Sequence, residues 1–116
     1  MTVSLRGTRE ISKNHQVFHL IGQLDAFSEP TFFRVVNTYL LEGPFNLILD
    51  LSSIDFIDSS GLGALVRLAK AAKETDGSLQ IVTNPRVTQT VKLVRLEKFL
   101  SLRHSLKEAL ENVPSQ

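Results

Sequence analysis

The chain has 116 residues, 42% hydrophobic and 22% charged, with a net charge of +1 and no cysteine. Those values describe one globular domain over residues 1–116; they exclude disulfides and thiolate metal sites and give no electrostatic case for nucleic acid or an anionic membrane as partner. No stretch reaches the roughly 18 apolar residues of a membrane span and the first six residues lack a signal-type apolar run, so a reducing cytoplasm is the expected location. The charges are unevenly placed: residues 1–58 hold four Lys/Arg against seven Asp/Glu, and residues 59–116 hold nine against five.

In chain order, Val3, Leu5 and Ile11 alternate with Ser4, Arg6, Thr8 and Glu10, the pattern of a half-exposed edge strand. A turn at Ser12-Lys13-Asn14 leads to residues 17–21, nearly all apolar, as in a strand covered on both faces. The two segments predict a hairpin. Gly22-Gln23-Leu24-Asp25 then leads away from the strand. Ser28 is placed to cap a helix with Pro30 in its first turn; Phe32, Val36, Tyr39 and Leu40 recur at helical spacing, and Gly43-Pro44 ends it. Residues 46–51 predict a buried strand. Beyond Ser59-Ser60, Leu62, Leu65, Val66, Ala69 and Ala72 mark one helical face, with Arg67, Lys70, Lys73 and Glu74 opposite. Asp76-Gly77 is a turn and residues 79–82 a short strand. Asn84-Pro85 opens a helix with Val87, Val91 and Val94 on one side, and residues 99–102 predict a last strand. Ser105 and Glu108 form a capping box for a final amphipathic helix, after which the last few residues are expected to fray.

Strands alternating with helices imply an α/β domain: a mixed, mostly parallel β-sheet of four or five strands with an N-terminal β-hairpin, packed with about four α-helices. Ligands and partners meet such sheets at the loops after the carboxyl ends of the strands. The loops after Ile21 and Ile57 begin there, so Asp25 and Ser59 are expected on one surface.

The most informative stretch is Ile54-Asp55-Phe56-Ile57-Asp58-Ser59-Ser60-Gly61-Leu62-Gly63. It places two hydroxyls beside a helix N-terminus, where unpaired N–H groups favour negative charge. Two readings follow. In one, Ser59 or Ser60 caps the helix and the glycines serve tight strand–helix packing. In the other, a serine carries a phosphate, while Gly61 and Gly63 keep bulk away so that another protein approaches closely, with Leu62 facing out or in. The two are compatible if one serine caps and the other is exposed. Catalytic readings are weaker. Asp58-Ser59-Ser60-Gly61 is not the G-x-S-x-G elbow of a hydrolase, and no motif ties His15, His19 or His104 to Ser59. Gly61-x-Gly63-x-x-Val66 lacks the third glycine of a dinucleotide fingerprint. No residues have metal-ligand spacing. A phosphoacceptor-aspartate domain wants a paired acidic cluster where this chain has Asp25 alone. No catalytic residue, cofactor or metal is expected, and the chain reads as a non-enzyme.

Residues 49–63, from Leu-Asp-Leu-Ser-Ser to Asp-Ser-Ser-Gly-Leu-Gly, resemble the central signature of the STAS family, and within it the bacterial anti-sigma-factor antagonists. Gly22-Gln23-Leu24-Asp25 resembles a second family element, usually G-E-L-D or G-R-L-D, and residues 99–110 resemble the usual ending. The resemblance implies a single STAS-like domain and a partner-switching role in transcription regulation. Ser59 matches the serine phosphorylated by an anti-sigma factor that is itself an ATP-dependent serine kinase. The unphosphorylated antagonist binds that factor, phosphorylation of Ser59 releases it, and a PP2C-type phosphatase restores binding. Asp25 and Asp58 match positions near the acceptor, so the implied partner surface is Asp25, Asp58, Ser59, Ser60, Gly61, Leu62 and Gly63. No direct contact with nucleic acid or membrane is implied. The alternative within the same fold is a scaffold or ligand-sensing module that is not phosphorylated.

Overall fold

A computed structural model describes residues 5–114. Val3 and Ser4 of the first predicted strand, and Ser115 and Gln116 of the terminus expected to fray, lie outside the described residues. In chain order the elements are β1 (Leu5–Ile11), β2 (Gln16–Leu24), α1 (Glu29–Glu42), β3 (Asn46–Ile57), α2 (Ser59–Glu74), β4 (Ser78–Val82), α3 (Pro85–Leu93), β5 (Ser101–Arg103) and α4 (Leu106–Glu111). They form one five-stranded sheet in the order β1-β2-β3-β4-β5. β1 and β2 are the antiparallel hairpin, and every later pairing is parallel. This is the α/β architecture that the alternation of strand and helix patterns implies.

The strand order explains where the helices sit. Crossovers between parallel strands are right-handed, and from β2 to β5 the chain always steps in one direction across the sheet. Three crossovers of one hand and one direction place α1, α2 and α3 on one face. There Phe32, Val36 and Leu40 of α1, Leu65 and Leu68 of α2, and Val87 and Val91 of α3 cover Leu47, Leu49 and Leu51 of β3 in the main core. α4 follows the last strand, is no crossover, and takes the other face, where Ala109 packs with Val17, Ile48 and Val82.

At six residues α4 is only about 9 Å long and covers one end of that face. β2 is therefore enclosed on both sides near Val17 only, and Ile21 is half exposed, against the expectation of two covered faces for 17–21. The uncovered part carries a polar row. His19 Nδ1 lies 2.8 Å from Asp50 Oδ2, His19 Nε2 lies 2.5 Å from Glu10 Oε1, and Ser52 Oγ donates to Asp50 Oδ1 at 2.6 Å.

Two strands run further than their sequence suggests. β3 continues past Leu51 to Ile57: Ser52, Ser53 and Asp55 interrupt the apolar run, and pairing to β2 resumes at Ser53 and again at Phe56. β2 continues past Ile21 to Leu24, with one register shift between His19 and Ile21 and a second after Gly22, whose φ of 117° only glycine adopts without strain. Beyond Asp50, β3 has outrun β4. The Asn84 side-chain amide instead donates to the carbonyls of Leu51, Ser52 and Ile54 at 2.9–3.3 Å, while its oxygen caps α3 by accepting from Val87 N–H at 2.8 Å. At the chain's end, β5 is shifted from the predicted 99–102. The capping box closes one residue early, since Glu108 accepts from the His104 amide and Ser105 accepts from the Glu108 amide.

The polar row sets a pH dependence. Hydrogen bonding to Asp50, opposed by partial burial and aided by Glu10, raises the His19 pKa above its ordinary 6.5. Burial pushes the Asp50 carboxyl up, but bonds from Ser52 and His19 outweigh it and hold the pKa below the ordinary 3.8. A raised histidine stabilises the fold fully below its unfolded value, and that contribution disappears as pH climbs through the folded value; the lowered carboxylate contributes above its unfolded value and is lost on acidification. The melting temperature followed by circular dichroism is therefore expected to decline through a pH window that opens near the ordinary histidine value of 6.5. His19→Gln should melt lower than wild type at the acid end of that window and lose most of the decline. Parallel curves for the two proteins would contradict the assignment.

Candidate functional site

Asp58 organises the corner that the sequence singles out. Its backbone is extended (φ −114°, ψ −173°), its carbonyl accepts from Leu62 N–H at 2.9 Å, and its Oδ1 accepts from Gly61 N–H at 3.0 Å. Asp58 is thus the N-cap of α2. The expectation that Ser59 or Ser60 caps the helix is corrected: both lie inside its first turn with helical backbone, where a side-chain oxygen no longer reaches the orphan amides. The second carboxylate oxygen of Asp58 accepts from Ala26 N–H at 3.1 Å, and Asp58 N–H donates to the Leu24 carbonyl at 3.2 Å.

The turn that Ala26 belongs to is held by Asp25. Asp25 Oδ1 accepts from the amides of Phe27 and Ser28, both at 3.0 Å, and the Asp25 amide donates to Ser28 Oγ at 3.0 Å. Ser28 Oγ also donates to the Gln23 carbonyl at 2.9 Å. Ser28 precedes α1 but makes no side-chain cap to it, which corrects its expected role; its buried hydroxyl locks the turn instead. The ends of β2 and β3 pair directly, Leu24 opposite Ile57. The structure therefore brings Asp25, Asp58 and Ser59 to one corner.

Ser59 is exposed and Ser60 half-buried, and among the described residues neither hydroxyl has a hydrogen-bond partner. Gly61 and Leu62 face inward. A Cβ on Gly61 would lie 2.5 Å from the Leu24 carbonyl oxygen, so this glycine exists for strand–helix contact; Leu62 is 4% exposed. Gly63 is the opposite case, exposed with open space where a Cβ would stand. Ser59, Gly63 and Arg67 follow one another at i, i+4 and i+8 and share one exposed helix face. Arg67 Nη2 donates to Glu29 Oε2 at 2.6 Å, and its guanidinium lies 4.1 Å over the Phe33 ring, tying α2 to α1. Sequence reasoning missed Phe27, 85% exposed beside this corner, because a phenylalanine next to an apolar helical stripe reads as core. No histidine among the described residues bonds Ser59: His15 meets Asn14, and His19 belongs to the polar row. Among the described residues no helix is long and apolar enough to cross a membrane.

The family model described as STAS domain matches residues 8–109. The chain belongs to the STAS family. A protein of Thermotoga neapolitana named as an anti-sigma factor antagonist is 30% identical over 80 residues, 68% of this STAS chain and 71% of its own length. Among solved structures, a Thermotoga maritima protein named as an anti-sigma factor antagonist superposes with a TM-score of 0.85 at 23% identity, covering 92% of this chain and 93% of that one. The anti-sigma factor antagonist SpoIIAA superposes in its unphosphorylated form with a TM-score of 0.76 at 19% identity, covering 91% and 94%. At those identities the superpositions speak for the fold.

The two glycines of this STAS domain are expected to respond oppositely to a methyl group. Gly61→Ala should destabilise by about 1–3 kcal/mol through overpacking against Leu24 and Ile57, and Gly63→Ala should stabilise by up to about 1 kcal/mol through helix propensity. Urea denaturation checks both signs. Equal shifts in the two variants would contradict this packing.

Proposed function

We propose that this STAS domain is an anti-sigma factor antagonist, a non-catalytic cytoplasmic module whose docking to an anti-sigma factor is switched by phosphorylation of Ser59. The observation that carries the reading is the state of that hydroxyl: exposed, unbonded, and relieved of capping by its neighbour Asp58. The partner is an ATP-dependent serine kinase that acts as anti-sigma factor, and a PP2C-type phosphatase reverses the modification. The docking surface is the corner of Asp25, Asp58, Ser59, Ser60 and Gly63, with the backbone of a partner able to approach over Gly63. Gly61 and Leu62 serve it from beneath, by setting the depth of the helix.

The switch follows from charge. A phosphoserine adds about −1.5 to −2 charges at neutral pH. A bare helix N-terminus would stabilise it by roughly 0.3–2 kcal/mol. Here the Asp58 carboxylate already occupies the Gly61 amide, so that benefit is shared with a neighbouring anion. Asp25 adds a second negative charge at the same corner. Along the exposed face of α2 the first cation is Arg67, about 12 Å up the helix and already paired with Glu29. The exposed face of α2 therefore gives the phosphate no adjacent counter-ion, and burying it unpaired under a partner costs several kcal/mol. Since about 1.4 kcal/mol is tenfold in affinity, release needs no refolding. A protein of the same fold, SpoIIAA, has a solved structure in a phosphorylated form as well, which supports the reading that the fold tolerates the modification.

Calorimetric titration against the cognate anti-sigma factor is expected to give similar affinity for wild type and Ser59→Ala, and affinity at least about tenfold weaker for Ser59→Asp. Incubation with the kinase and ATP should add one phosphate, mapped by mass spectrometry to Ser59 and absent in Ser59→Ala. Phosphate on Ser60 instead, or undiminished binding by Ser59→Asp, would overturn the assignment.

A further inference from the structure

On the helical face of the sheet, the space between edge strand β1 and helix α1 is left open as a groove of about 750 Å³, within the usual size of ligand sites. Its floor is Phe18 and Leu20 of β2. One wall is Thr31, Val35 and Tyr39, each four residues after the last and so aligned along one line of the α1 surface, with Phe27 of the preceding turn at its end. The other wall is β1. There Gly7 stands between Leu5 and Arg9 on the inward-facing positions, and its missing side chain makes room for Leu20, whose Cδ2 lies 2.6 Å from where a Cβ on Gly7 would stand. From Leu5 to Arg9 the wall runs about 13 Å.

The charges lining the groove are all of one sign. Arg6 and Arg9 line it, and no aspartate or glutamate does. Arg9 is held in place. Its Nε donates to Gln16 Oε1 at 2.8 Å, and its guanidinium lies 4.0 Å over the Tyr39 ring. Gln16 is fully buried and is fixed in turn by donating to the carbonyls of Tyr39 and Pro44 at 2.9 and 2.8 Å. Among the described residues, the terminal nitrogens of Arg9 meet no acceptor. A fixed guanidinium with a free fork at the end of an apolar slot suits a carboxylate with an aliphatic tail.

We infer that this groove binds a free amphiphilic monocarboxylate of the fatty-acid type, its tail along Phe18, Leu20 and Val35 and its carboxylate on Arg9. The head must be the free acid. An ester or thioester of the same chain presents no charge to the arginine, so carrier-bound or lipid-bound acyl groups are not the ligand.

The test is a titration of the isotope-labelled full chain with decanoate below its micelle concentration, followed by backbone amide shifts. Saturable shifts are expected at residues of β1 and α1 that line the groove. Affinity should fall at least about tenfold in Arg9→Gln, partly recover in Arg9→Lys, and fall again in Gly7→Leu, which pushes Leu20 into the slot. Methyl decanoate should bind wild type no better than decanoate binds Arg9→Gln. Thermal melts establish that the variants fold; if Arg9→Gln does not, the ester and Gly7→Leu comparisons decide. The absence of saturable shifts at these residues, equal affinity for acid and ester, or undiminished binding by Gly7→Leu would overturn the inference. So would concentration-dependent dimerisation of wild type abolished by Gly7→Leu, which would make a second copy the occupant.

Discussion

The carboxylate of Asp58 holds three pieces of chain at one point. One oxygen caps α2 through the Gly61 amide and the other fastens the turn after β2 through the Ala26 amide, while the Asp58 N–H joins the Leu24 carbonyl. A capping bond contributes about 0.5–2 kcal/mol, and a bond to an ionised group about 1.5–3 kcal/mol. The corner is thus fixed more firmly than loops ordinarily are. The close approach of Gly61 to the Leu24 carbonyl completes it, since any side chain there would lift α2 off the strand ends. Ser59 is presented by a rigid mount, and its hydroxyl is left with nothing structural to do.

Much of the fold was legible because the hydrophobic periods are clean. The alternation in β1, the stripe of Phe32, Val36 and Leu40, and the Asn84-Pro85 start of α3 each identify their element. What sequence could not reveal is how polar residues divide the work of satisfying backbone groups. Asp58 and Ser59 are both good caps, and only the backbone angles decide that the cap falls one residue earlier. Ser28 is another good cap that is taken by the Asp25 turn. The far half of β3 was obscured because its edge is satisfied by the side chain of Asn84, thirty residues away in sequence, and not by a neighbouring strand. Of the candidate site, the juxtaposition of Asp25 with Ser59 was readable from strand-end logic. The inward direction of Leu62 and the exposure of Phe27 depend on tertiary packing.

The topology also bears on the kind of partner the corner suits. Doubly wound sheets bind ligands in a crevice where the strand order reverses. From β2 to β5 this sheet never reverses, so it has no such switch point at its carboxyl end. The groove beside β1 arises differently, from an edge strand that α1 does not cover. The 25–28 turn touches both places. Its amides bind Asp25 and Asp58, and Phe27 and Ser28 line the groove.

The brevity of α4 has a further consequence for how the molecule keeps to itself. A bare sheet face of apolar side chains invites a second sheet to lie on it. Here the bare part is planted with Glu10, His19, Asp50 and Ser52, whose groups already satisfy one another. Stacking there would strip water from charges and gain little oily contact in return. The ion row acts as a guard against clumping at crowded concentrations, and it lets a domain this small leave half of one face undressed.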